Sequence, residues 1–163
     1  MRHPRRLARM KFIDYVKPEN IKLELEGQTK EEVIEELVEL LVESCCVQDA
    51  DTIFEAVMSR EREGSTGLEK GVAIPHAKCD AVERLSIVIG ISKKGIDFES
   101  LDGKPSNLFF LMVAPTSESG PHVQAIAKIV KMIKIDRFRD KLLKAKSGEE
   151  VIETINMVEN GGM

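Results

Sequence analysis

Apolar positions along the chain fall into two kinds of pattern. From about Thr29 to Cys46, Val33, Leu37, Leu40 and Leu41 trace one face at helical spacing, and Ile34, Val38 and Cys45 widen it. Thr29 followed three residues later by Glu32 makes a capping box, which gives two orphan amides side-chain partners. A second helix is predicted from about Asp51 to Glu63, with Ile53, Phe54, Val57 and Met58 as its buried stripe and Gly64 as its stop. Leu85 to Ile91 and Leu108 to Ala114 are instead nearly unbroken apolar runs. Their length and bounding turn residues favour strands covered on both faces. Val72 to Ile74 is a shorter β-prone run that ends at Pro75.

Beyond Ala114, Pro115 to Pro121 reads as a loop. A helix is expected to start near Pro121, with Val123, Ile126, Val130 and Ile133 facing inward. Two more helices follow, near Arg137 to Ala145 and Glu149 to Val158, and Ser147 with Glu150 offers the second another capping box. Helices before, between and after buried strands imply an α/β fold in which a central sheet is layered by helices. No linker, repeat or long charge block divides the sequence. It reads as one domain over residues 11–159, with a flexible basic extension at 1–10 and a short tail at 160–163.

Composition narrows the function classes. With 163 residues, 42% hydrophobic and 32% charged, the chain is not disordered or low-complexity. No apolar run approaches the ~18 residues that span a bilayer, so the protein is not expected to be membrane-integral. Three cysteines, two of them adjacent, make no disulfide framework, and the reducing cytoplasm is the natural setting. Residues 1–11 hold five basic side chains and no acid. The remaining 19 basic against 28 acidic residues leave the body at −9. So acidic a body is a poor match for nucleic acid, because binding there needs cations that displace counterions from phosphates. The basic terminus lacks a signal peptide's apolar stretch and fits a solvated tail; Met10 is an equally good start.

Candidate chemistry centres on few residues. His3 sits in the basic tail with no periodic context. His76 follows a short strand and Pro75, which places its imidazole at the end of a buried strand, where open α/β sheets put their sites. His122 lies at the predicted start of a helix, whose unpaired amides and dipole attract phosphate. Alone, each histidine also fits a structural or exposed position. His76 and Cys79 are three apart, but no zinc-type pattern occurs, and no metal site is expected. Arg60 precedes the loop Gly64, Ser65, Thr66, Gly67, whose small residues let a backbone approach phosphate. No GK[ST] follows, so this is not a P-loop, and in isolation Arg60 fits a surface ion pair with Glu61 or Glu63.

Read as one segment, SREREGSTGLEKGVAIPHAK at residues 59–78 resembles the active-site stretch of phosphotransferase-system IIA proteins of the fructose, mannitol and nitrogen-regulatory type. The shared pattern is an R-E dipeptide, an STG loop and a G-[IV]-A-[IV]-P-H run. His122, 46 residues after His76, stands at about the spacing of that family's second active-site histidine. The resemblance covers about residues 11–158 and implies a mixed sheet sandwiched by helices. It implies His76 as phosphoryl acceptor, His122 and Arg60 as groups that orient and stabilise the phosphoryl, and Thr66 and Ser65 as phosphate-supporting residues. The partners it implies are the histidine-containing phosphocarrier protein as donor and a IIB component, fructose type, as acceptor. No cofactor is required. The alternative is a nitrogen-regulatory switch that binds regulatory protein targets. This chain departs from the family pattern at Glu69 and Lys70, where charge would alter the site if that loop lines it, and at Ala77, where many members have Gly.

Overall fold

A computed structural model describes residues 10–162. The basic extension and His3 therefore lie outside the described residues, except for Met10. That residue is not part of a tail: it is buried, and its backbone N–H donates to Gln124 Oε1 at 2.8 Å.

The strands are β1 (Ile21–Lys22), β2 (Val72–Ala73), β3 (His76–Lys78), β4 (Ser86–Ile96) and β5 (Ser106–Ala114). The helices are α1 (Lys30–Ser44), α2 (Ala50–Glu63), α3 (Ser119–Met132), α4 (Asp136–Lys144) and α5 (Gly148–Glu159). β1, β4, β5 and β2 lie side by side, and β3 continues the β2 edge along β5. β4 and β5 pair antiparallel, whereas β1, β2 and β3 run parallel to their neighbours, so the sheet is mixed. Two elements escaped the sequence reading. β1 is only two residues long, and β3 begins directly after a proline that looks like a strand terminus. The Pro75 carbonyl still accepts from Met112 N–H at 3.0 Å, so the ladder crosses the proline on an edge where its missing N–H is tolerated.

The long strands are covered on both faces, as their unbroken apolar runs require. Along β5, Leu108, Phe110, Met112 and Ala114 join the cluster under α3, α4 and α5. The alternate residues Phe109, Leu111 and Val113 join the cluster under α1 and α2. Both expected N-caps form, each as the hydroxyl half of a capping box. Thr29 Oγ1 accepts from Glu32 N–H and Ser147 Oγ from Glu150 N–H, each at 3.2 Å. The glutamates reach back one residue further than the motif describes, to the Gln28 and Lys146 amides.

One helix differs from expectation. Pro115 to Pro121 is not all loop: a 3-10 turn at Thr116–Glu118 runs directly into α3, which starts at Ser119. Its inward stripe is His122, Ala125, Ile129 and Met132. Ile133 is buried and Ile126 half-buried, but Val123 and Val130 are 63% and 37% exposed. The helix is turned so that His122 faces inward, and its valines are left at the surface.

Candidate active site

The β2–β3 edge is where the two helical layers meet, α2 from one face of the sheet and α3 from the other. A cavity of about 430 Å³ opens there, lined by His76 and Lys78 of β3, Arg60 and Glu63 of α2, and His122, Val123 and Ile126 of α3. Hydrogen bonds from the segment after β3 hold the edges in register. Cys79 N–H donates to Ala114 O at 2.9 Å, and the Asp80 carboxylate accepts from Thr116 N–H at 2.9 Å. Glu118, at the head of α3, accepts from Leu85 N–H at 2.6 Å. The start of α3 is thereby pinned to the strand segment that carries His76.

His76 is half-buried, and its Nδ1 lies 2.8 Å from Ile74 O. A carbonyl only accepts, so Nδ1 is the donor, and in the neutral ring Nε2 is the nitrogen with the lone pair. The His122 ring stands edge-on to it, with centroids 5.6 Å apart and planes at 73°. His122 is only 4% exposed, and its Nε2 is buried without a hydrogen-bond partner. Burial first, then the charges of His76 and Lys78, push its pKa from 6.5 down to about 4. At neutral pH it is an uncharged imidazole with an unsatisfied polar atom, an arrangement that costs free energy unless something else occupies the pocket.

Arg60 does not make the surface ion pair that its neighbours suggest. Its guanidinium donates to Gly64 O at 2.9 Å, across the end of α2. Glu61 points the other way, into the protein, where it accepts from Thr66 N–H (2.8 Å) and Thr66 Oγ1–H (2.6 Å) and pairs with Lys30 at 2.8 Å.

Ser65 and Thr66, expected to support a phosphate, do not line this cavity, and their hydroxyls are engaged elsewhere. Thr66 is buried with both donors spent on Glu61, and Ser65 Oγ–H donates to Phe98 O at 2.6 Å. The STG loop instead covers the β2 edge: Thr66 O accepts from Ile74 N–H at 3.0 Å, and Gly67 bridges Ala73. A Cβ on Gly67 would stand 2.4 Å from Ser100 Oγ, which explains a glycine there. Glu69 and Lys70 also lie away from the cavity. Lys70 N–H donates to Asp102, and its ammonium is 3.9 Å from Asp136 at the start of α4. Ala77 turns its methyl into the α1–α2 cluster. Lys78 and Glu63 are the charged lining residues that the sequence reading missed. The alternation of a strand through His76 would have found Lys78, had β3 been recognised.

Two imidazoles, one bonded through Nδ1 to a strand carbonyl and one with an unpartnered buried nitrogen, stand beside Arg60 and Lys78 on a sheet edge. Comparison with known proteins gives the family. Residues 14–158 match the family described as "Phosphoenolpyruvate-dependent sugar phosphotransferase system, EIIA 2". The chain belongs to that family. Members of EIIA 2 are phosphoryl-transfer components. The fructose-specific EIIABC component of Bacillus subtilis is 37% identical over 90% of this chain, which spans 23% of that relative's length. The fructose-specific EIIA component of Haloferax volcanii is 36% identical over 84% of the chain and 89% of its own. Among solved structures, the nitrogen regulatory protein IIA-Ntr of Neisseria meningitidis superposes with a TM-score of 0.81 at 30% identity, covering 87% of this chain and 97% of that one. No helix among the described residues is long and apolar enough to cross a membrane.

Proposed function

We propose that this protein is a cytoplasmic phosphocarrier that takes a phosphoryl group onto His76 Nε2 from the histidine-containing phosphocarrier protein and passes it to a IIB component of the fructose type. The observation that carries this reading is the contact of His76 Nδ1 with Ile74 O, which in the neutral ring makes Nε2 the nucleophilic nitrogen of a residue that lines the cavity. As the phosphorus–nitrogen bond to the donor histidine breaks, one to Nε2 forms, and the donor ring recovers its electron pair. No proton has to leave Nε2 first. Positioning and charge stabilisation supply most of the catalysis in such transfers. His122 donates a hydrogen bond to a phosphoryl oxygen and so satisfies its orphan nitrogen. Arg60 swings from Gly64 O to the phosphoryl. The exposed Val123 and half-buried Ile126 beside the cavity offer a protein partner apolar contact.

Incubation with phosphoenolpyruvate, enzyme I and the carrier protein is expected to yield acid-labile phosphate on His76. A His76→Ala protein should take up none, and label on that variant refutes the assignment. Likeness to a nitrogen regulatory protein supports a second reading, a switch whose phosphorylation changes which target it binds. Adding a fructose-type IIB to the labelled protein separates the two, since only the transport reading requires rapid discharge.

A further inference from the structure

Lys78 has no part in the relay as described so far. It leaves β3 on the same side as His76, two residues on, and lines the cavity with Arg60 and His122. Its side chain is exposed, and among the described residues no hydrogen bond or ion pair ties down its ammonium. Residues two apart on a strand are separated by about 6.6 Å, a distance that a lysine's four-carbon stem can cover. The ammonium can therefore reach a phosphoryl group on His76 Nε2.

Charge makes that reach matter. A protein-bound phosphoryl group carries about 1.5 to 2 negative charges near neutral pH. Arg60 supplies one positive charge, His122 is neutral, and the start of α3 contributes about half a charge. Glu63 on the rim adds a further negative charge. Lys78 is the remaining cation on the cavity wall.

We propose that Lys78 is a direct ligand of the phosphoryl group on His76, donating to a phosphoryl oxygen across from Arg60, and that it sets how much of that group this protein holds at equilibrium with its donor. The role rests on the phosphocarrier reading above. It is a property of the phosphorylated state, separate from nucleophilic attack and from docking.

The test starts from phosphorylated carrier protein freed of phosphoenolpyruvate and enzyme I, mixed with wild-type protein or with Lys78→Met or Lys78→Arg. The final distribution of phosphate between the two proteins is then read. Loss of a charge-assisted hydrogen bond predicts that Lys78→Met moves the equilibrium about tenfold toward the donor. Lys78→Arg should restore it, and the exposed, unpaired side chain predicts an unchanged melting temperature for both. A docking residue alters only the speed of approach, since it cannot change the end point of a transfer between two separated proteins. An equilibrium for Lys78→Met equal to wild type therefore overturns the proposal, however slowly it is reached. Wild-type protein that takes up no phosphoryl group overturns the phosphocarrier reading and this role together.

Discussion

At the scale of single residues, the site depends on His122 staying uncharged. An imidazole with a pKa of about 4 in the folded protein and 6.5 when unfolded binds its proton more readily in the unfolded chain. Acid therefore favours unfolding. Stability is unaffected by this group above about pH 6.5 and is lost progressively as pH falls toward 4, by up to about 3 kcal/mol. Urea melts across that range should show the loss in wild type and a flatter profile in His122→Gln; identical profiles contradict the assignment. By analogy with removal of one oxyanion donor, His122→Ala should also slow phosphoryl uptake on the order of 10²–10³-fold, read by single-turnover transfer. His76, His122 and Arg60 were legible because their chain motif and spacing are specific, and the fold does bring all three to one cavity. Lys78 was not, since nothing in HAK announces a strand after a proline.

At the scale of elements, the STG loop and the end of α2 act as one unit. Glu61 is 6% exposed and binds two Thr66 donors and Lys30, so the turn that presents Arg60 is locked from beneath. The sequence shows small residues that could cradle phosphate; it does not show that a buried carboxylate one position from Arg60 takes both donors of Thr66. Thr66→Val should cost about 1–3 kcal/mol by leaving a buried carboxylate oxygen short of a partner. It should also slow transfer by loosening Arg60. If the loss acts through Arg60, the rate deficit disappears in an Arg60→Ala background while the stability deficit remains, a double-mutant cycle that two assays can close. α3 shows the same limit from another side. Its valines fit an inward stripe as well as its isoleucines do, and periodicity alone cannot reveal that a site histidine claims the inward position.

For the whole molecule, the consequence of one sheet serving two apolar clusters is cooperativity. β5 contributes alternate residues to each cluster and pairs with β3 at His76↔Met112, so neither face can lose its packing without disturbing the strand beneath the site. That layered architecture was readable from two unbroken apolar runs set among amphipathic helices. The edge strand β3 that lines the pocket was not, because three residues after a proline carry too little pattern. Phe109 and Phe110 are both fully buried, on opposite faces. Truncating either to alanine should cost about 3–5 kcal/mol. If the layers fold as one unit, each variant shifts the same single transition. Urea unfolding followed by far-ultraviolet circular dichroism should then coincide with loss of the native His76 ring resonances. A Phe109→Ala protein that loses the α1–α2 layer first, with the His76 signals surviving to higher denaturant, would mean that the layers are separable. The position of α2, and with it Arg60, would then be adjustable independently of the histidine pair.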